Sequence, residues 1–484
     1  MRGWECHRLR LTSIGNKGRF RGRGNGASRE GEKGKRKAKN EEFLFLFPPI
    51  SPLTPLPISP CPSPPFTPQQ TRAEEIERES MSQRPLEGVR IADFTWVWAG
   101  PFATMQLAHL GAEVIRIETQ HRVCVTRRIP PFADGQGGLN RSGYYNQYNQ
   151  GKQSVALNLK APEALDIAKK LVAASDIVSE NFAAGVMAKM GLGYEVLKQI
   201  KPDIIMISMS GYGAVGPESP YVSYGPAQAP LSGLSSLTGF PGFPPMHVGF
   251  SYGDPNGGLH GAFAVLAALM HRARTGEGQY IDLSQLETSI AVVGEGIMAY
   301  TMNGESLPRI GNRDPLMAPH GLFRCQGEDR WVSIVVANED EWQRFCQGIG
   351  RPALAHDPQF ATATQRKANE DALDTLITEW TTTLTAEDVT RRLQAVGVAA
   401  YPAVTNKELA EDAHLQGRGF FVEHPHPEVG KRRHAGVPWV FSDTPCQVET
   451  PAPCLGQDTE DVMRRVLGYT QEEIAAFTAK GVLS

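Results

Sequence analysis

No uninterrupted apolar run of about 20 residues, the length that spans a bilayer, occurs in this sequence, so neither a membrane-spanning helix nor a membrane partner is expected. Disulfide and metal signatures are equally missing. The seven cysteines (Cys6, Cys61, Cys124, Cys325, Cys346, Cys446 and Cys454) form no CxxC pair and no cluster with metal-ligand spacing, and their number is odd. That pattern suits reduced thiols in a cytoplasmic protein without a bound metal. An excess of one charge is also lacking: 49 Lys and Arg against 52 Asp and Glu leave −3, which calls for no nucleic-acid partner. There is no internal repeat. What remains is a 484-residue chain, 41% apolar and 21% charged, with a globular composition and room for more than one compact unit.

The first 80 residues differ from the rest. Residues 1–40 are basic and glycine-rich, as in Gly-Arg-Phe-Arg-Gly-Arg-Gly (18–24), and residues 43–68 run from Phe-Leu-Phe-Leu-Phe into a proline-rich stretch. Neither has helix or strand periodicity, nor enough apolar surface to offset the entropy of ordering, so disorder is expected. One reading makes this a targeting or interaction tail. The favoured one places the natural start at Met81, directly before the first strand signal.

From Val89 onward, strand and helix patterns alternate. Strands are expected at 89–94, 113–118, 154–159, 176–181 and 203–209, and helices at 102–110, 161–175, 257–273 and 285–302. Alternation of this kind predicts an α/β protein with a largely parallel, doubly wound sheet. Ligands of such sheets bind beyond the carboxyl ends of the strands, which singles out the turns after residues 94 and 181. A second unit is expected after residue 305, with a strand at 330–336 and helices near 340–348, 371–383 and 386–395.

Asp254 has two readings. In Gly-Asp-Pro-Asn-Gly-Gly (253–258) it is a good helix N-cap, with Pro255 at the first helical position. A carboxylate there is also held ionised by the helix dipole and free amides, and Gly257 and Gly258 would let a bulky ligand approach the backbone.

Three passages carry a family resemblance. They are residues 85–101 with 110–118, residues 149–160 with Ser-Glu-Asn-Phe (179–182), and Gly-Asp-Pro-Asn-Gly-Gly-Leu-His (253–260) with Arg-Thr-Gly-Glu-Gly-Gln (274–279). In order and spacing they resemble the family III coenzyme A transferases of the CaiB/BaiF type, the group that includes formyl-CoA:oxalate and carnitine CoA-transferases. The likeness continues through Asp-Pro-Gln-Phe (357–360) and Asn-Lys-Glu-Leu (406–409) to the closing Lys-Gly-Val (480–482).

The resemblance implies a Rossmann-like large domain built from both chain ends (85–305 and 406–484), a smaller α+β domain between them (306–405) and an interlocked homodimer. It implies CoA, arriving as acyl-CoA, as the cofactor-like substrate, with a free carboxylic acid as acceptor. Asp254 matches the nucleophile that carries the acyl group and then CoA, and Tyr224 lies near the family's active-site tyrosine. Val97, Trp98, Ala99, Leu157, Lys160, Asn181, Phe182 and Ala183 match positions that touch CoA, and Lys189 stands where an arginine often serves the phosphates. After Glu118 the family's usual arginine and Gly-x-Gly-Asp stretch is replaced by residues 119–124, so Arg122, Arg127 or Arg128 would have to substitute.

A glutamine of the oxalate branch is replaced by Trp98, and no glycine-rich lid is evident at 304–330; both speak against oxalate as acceptor. Trp96, Trp98, Tyr221 and Tyr224 suggest an aromatic-lined pocket for a larger or apolar acid, or a cage for a quaternary ammonium such as carnitine. The runner-up function, a 2-methylacyl-CoA racemase, needs a histidine before Leu231-Ser232-Gly233, and residues 220–233 contain none.

Overall fold

The computed structural model describes residues 84–484; the expected tail at 1–80 lies outside the described residues. Strands β1 (Arg90–Asp93), β2 (Glu113–Glu118), β3 (Lys152–Ala156), β4 (Ile177–Glu180), β5 (Ile205–Ser210) and β6 (Tyr280–Ser284) form one parallel sheet in the order β3-β2-β1-β4-β5-β6. Helices cover both faces, and β1, β4 and β5 are almost wholly buried. Helices α1 (Ala99–His109), α2 (Gly143–Tyr148), α3 (Pro162–Ala173), α4 (Val186–Lys189), α5 (Tyr194–Ile200) and α6 (Gly225–Leu231) connect the strands. The 23-residue α7 (Gly253–Thr275) packs against α1 and leads into β6. The order reverses between β1 and β4, which places a topological switch point at their carboxyl ends.

The five expected strands are matched to within two or three residues, and β6 is a sixth that the sequence pattern did not announce; β3 departs because of the chain's end. Strand pairing on β2 stops at the Leu157 N–H, and the next N–H, on Asn158, goes to the Val482 carbonyl instead. Helices α13 (Thr459–Arg465) and α14 (Gln471–Ala479) return to this edge. Asp458 accepts from the Ser154 N–H (2.8 Å) and Thr459 from the Ala156 N–H (2.9 Å), so the sheet edge is covered. Val462, Met463, Ile474 and Val482 share one core with Phe94, Ile115, Leu157 and Val178.

The single helix expected over 285–302 is two, α8 (Gln285–Ile290) and α9 (Gly294–Asn303), joined by a 3-10 turn (Ala291–Val293). The β-branched pair Val292-Val293 followed by Gly294 weakens helix propagation there. Beyond it, β7 (His320–Arg324), β8 (Trp331–Val335) and β9 (Ala399–Pro402) form an antiparallel sheet in the order β7-β8-β9. It packs with α10 (Glu339–Gly348), α11 (Glu370–Thr381) and α12 (Ala386–Gln394) around Trp342, Phe345, Leu373 and Val389, a core separate from that of the parallel sheet. A hairpin of β10 (Phe421–His426) and β11 (Gly430–Ala435) follows. Among the described residues, no helix is long and apolar enough to cross a membrane.

Candidate active site

The turn after β1 begins at Asp93, which is fully buried. Its carboxylate accepts from the Thr95 N–H (2.9 Å), the Thr104 hydroxyl (2.8 Å) and Lys152 Nζ (3.2 Å). Lys152 also donates to the Pro101 carbonyl (2.9 Å), tying β3 to the start of α1. Burial pulls the Lys152 ammonium down to about 8, and the Asp93 charge only partly opposes that. The turn is thereby fixed to the sheet, and its next residues face the switch point.

Val97 has φ +62°, the left-handed region, where a β-branched residue is a genuine outlier costing about 1–3 kcal/mol. Its N–H donates to Cys124 Sγ (3.3 Å). The preceding Trp96 is held at both backbone groups by Asn181, from the turn after β4: Trp96 N–H to Oδ1 (2.7 Å) and Nδ2 to Trp96 C=O (2.8 Å).

Asp254 is 7% exposed and sits in the first turn of α7, whose N-cap is Tyr252. The expected N-cap role for Asp254 is therefore corrected. Pro255 then stands at the third helical position, two further in than expected, where it is tolerated because first-turn N–H groups have no intrahelical acceptor. Freed from capping, the carboxylate accepts from the Ser251 hydroxyl (2.6 Å), and the backbone N–H of Ala99 lies toward it. Ala99 is the first residue of α1, so the carboxylate lies where two helix N-termini meet, a favourable place for negative charge. This approach requires glycine at 258, where a Cβ would lie 2.7 Å from the Ala99 carbonyl oxygen. Burial nonetheless raises the Asp254 pKa above the ordinary aspartate value; the bonds from Ser251 and Ala99 pull the other way. Gly225, the first residue of α6, lies against the same carboxylate: a Cβ there would be 1.8 Å from Oδ2.

A cavity of about 650 Å³ opens at this point. Asp254, Ser251, Val97, Asn181, Phe182, Ala183 and Tyr224 all line it. Trp96 and Tyr221 do as well, whereas Trp98 is 7% exposed and packs behind the wall against Tyr144, Tyr148 and Phe250. Ala99 lies just outside the lining, with its N–H toward Asp254. Leu157 is buried in the sheet core, and Lys160 and Lys189 are exposed, in the loop after β3 and at the end of α4. Tyr224 is 67% exposed.

Of the three arginines proposed to replace the missing one after Glu118, only Arg122 lines the cavity, with its guanidinium 5.1 Å from the Trp96 ring centroid. Arg127 is not available. Its side chain is fully buried and bidentate to Glu118 (3.0 and 2.6 Å), and it stacks 3.5 Å over Tyr145. Burial alone would raise the Glu118 carboxyl; the Arg116 and Arg127 guanidiniums outweigh it and hold the group near 2.

Among the lining residues that escaped the sequence reading, two bear on Asp254. Ser251 carries no motif signal of its own. Tyr144, on α2, is half-buried, and its hydroxyl is raised above the ordinary tyrosine value first by burial and then by the Asp254 charge. It stays protonated and able to donate. Its only sequence signal is the Tyr144, Tyr145, Tyr148 cluster, which no general pattern connects with residue 254.

A parallel sheet whose cavity opens at the switch point, with a buried carboxylate in its wall, defines an α/β enzyme. The family model described as CoA-transferase family III matches residues 86–459. The chain is 33% identical to the succinyl-CoA–D-citramalate CoA-transferase of Chloroflexus aurantiacus, over 83% of this chain and 98% of that protein. It is 32% identical to the formyl-CoA:oxalate CoA-transferase of Streptomyces coelicolor, over 83% and 100%. The crystal structure of a CaiB/BaiF family protein from Brucella suis superposes with a TM-score of 0.73 at 30% identity, over 79% of this chain and all of that one. The chain belongs to CoA-transferase family III: it is an enzyme that transfers CoA between acids.

Proposed function

We propose that the chain moves CoA from an acyl-CoA donor to a free carboxylic acid through an aspartyl-CoA thioester on Asp254. The observation that carries this reading is the carboxylate's position: buried in the cavity wall, at two helix N-termini, bonded to the Ser251 hydroxyl and with the Ala99 N–H turned toward it.

An Asp254 oxygen attacks the thioester carbonyl of the donor. The C–S bond breaks, leaving a mixed anhydride and CoA thiolate. The thiolate attacks the aspartyl carbonyl, expels the donor carboxylate and forms the aspartyl-CoA thioester. The acceptor carboxylate attacks that thioester, giving a new anhydride and freeing the thiolate. Attack of the thiolate on the acceptor-derived carbonyl yields the new acyl-CoA and restores the Asp254 carboxylate. No proton or outside nucleophile is consumed, and one hard exchange becomes several easier steps. The Ser251 hydroxyl, 2.6 Å from Asp254, is the donor best placed for oxyanions that develop there, with the Tyr144 hydroxyl in the same cavity wall. Val97, Phe182 and Ala183 line the cavity and would contact CoA there, Arg122 supplies cationic charge in the same wall, and the exposed Lys160 and Lys189, outside the lining, would serve the phosphates.

A Rossmann-like large domain of residues 85–305 and 406–484 with a small domain of 306–405 accords with the two separate cores. A second copy of the chain, giving the homodimer, would cover the exposed Leu259, Phe263 and Met270 of α7 and Met298 and Tyr300 of α9. The unpaired state of the described cysteines suits the cytoplasm.

The test is exchange by mass spectrometry with the full chain. Succinyl-CoA and formyl-CoA serve as donors against oxalate, glutarate, citramalate and larger apolar or aromatic acids, with hydroxylamine trapping alongside. Acceptor-dependent exchange with a hydroxamate on Asp254, both lost in D254N, is the expected result. Epimerisation of a 2-methylacyl-CoA without exchange would instead make Asp254 an acid/base residue.

A further inference from the structure

The resemblance places Asn181 among residues that touch CoA, but its side chain is already committed. Oδ1 accepts from the Trp96 N–H and Nδ2 donates to the Trp96 carbonyl, at 2.7 and 2.8 Å. An amide that closes both bonds onto one residue's backbone acts as a clamp, fixing position and direction together. The residue it clamps immediately precedes Val97, whose φ of +62° is unfavourable for a β-branched side chain. Such a conformation persists only where the surroundings over-determine it. Here the constraints are the Asn181 clamp on one side and the Val97 N–H to Cys124 Sγ bond on the other. Two residues beyond Val97, Ala99 opens α1 against the first turn of α7, where a Cβ at Gly258 would lie 2.7 Å from the Ala99 carbonyl oxygen, and its N–H lies toward the Asp254 carboxylate. Asn181, the strained turn and the nucleophile thus form one connected path across the switch point from β4 to α7.

We infer that Asn181 is a positioning residue: it holds the Trp96–Ala99 turn in its strained form so that the Ala99 N–H stays aimed at Asp254. This rests on the reading of Asp254 as the nucleophile. In the N181A variant the clamp is gone, Val97 relaxes to negative φ, and Ala99 turns its N–H away. Placement errors of about 1 Å in a reacting site cost on the order of 100-fold in rate.

The experiment compares wild type, N181A and N181D, the last retaining the acceptor for Trp96 N–H while setting an oxygen against the Trp96 carbonyl. Melting curves establish that each variant is folded. Steady-state exchange is expected to show kcat lowered about 100-fold in N181A with KM for acyl-CoA within about twofold, a split that separates alignment from binding. Calorimetry with CoA alone is expected to give an unchanged Kd, and a crystal structure of the variant is expected to show Val97 at negative φ. A tenfold weaker CoA Kd with kcat retained would overturn the inference and make Asn181 a CoA contact. Val97 keeping its positive φ in N181A and N181D, at full rate, would overturn it equally. Wild-type chain that exchanges no acid would count against the transferase reading instead, and the crystallographic arm would still decide what Asn181 holds.

Discussion

Gly225 offers the sharpest test of the candidate site, because the consequence of one methyl group can be worked from the structure. A Cβ at this position would lie 1.8 Å from Asp254 Oδ2 and 2.1 Å from Ser251 Oγ. Ordinary contact begins near 3.4 Å, so in G225A the carboxylate must retreat by about 1.5 Å. Both displaced atoms are ends of side chains, and the backbone at 225 is outside the left-handed region, so alanine is conformationally acceptable in this first helical position. The cost to stability therefore falls at the low end of overpacking, about 1 kcal/mol. Reactivity suffers far more: a nucleophile moved by over 1 Å from its Ala99 and Ser251 donors loses on the order of 100-fold in kcat. The check is kcat from mass-spectrometric exchange beside a thermal melt. A G225A protein that turns over within about threefold of wild type, with the same melting temperature, would refute the placement of Asp254 described above.

Other expectations follow from the same geometry. Burial raises Asp254 while the Ser251 hydroxyl lowers it, so S251A raises its pKa further; the acid limb of kcat/KM moves to higher pH, and a shift to lower pH would contradict the assignment. Under the proposed reaction, Y144F takes a hydroxyl from the cavity wall near Asp254 and lowers kcat by about tenfold with little change in melting temperature, read in the same exchange assay. Glu118 is held near 2 against an ordinary value of 4.5, so its contribution is fully present above 4.5 and is lost as pH falls toward 2. That contribution amounts to about 3 kcal/mol; urea unfolding of E118Q across this window should show a flatter acid decline than wild type. M463A empties a fully buried position in the core shared by the sheet and the chain's end and costs about 2–5 kcal/mol by denaturant titration.

How much was legible beforehand differs by residue. The β2 strand was read to its exact ends because Glu-Val-Ile-Arg-Ile-Glu carries its own pattern. The switch-point location followed from strand–helix alternation, and the turns after β1 and β4 do meet there, through Asn181 and Trp96. Asp254 was singled out both as a cap and, through the resemblance, as the nucleophile; the cap is corrected because α7 begins one residue earlier, at Gly253, with Tyr252 as N-cap. Its neighbours are Ser251 and Ala99, the latter 155 residues away, which no local pattern weighs. Arg127 and Arg122 are indistinguishable in a sequence; only the buried Glu118 beside Arg127 withdraws it from the cavity.

By itself, then, the sequence determined what depends on neighbours along the chain: the period of each strand and helix, the family motifs, and the residue types available for acyl transfer. Tertiary structure alone decided what depends on neighbours in space. It set which carboxylate oxygen meets which donor, and which tryptophan lines the cavity while the other packs behind it. It also set the strained turn at Val97, sustained by groups from β4 and from the segment after β2. Hydrogen bonding, desolvation and close packing act over a few ångströms, and at that range the relevant partners are tens to hundreds of residues apart in sequence.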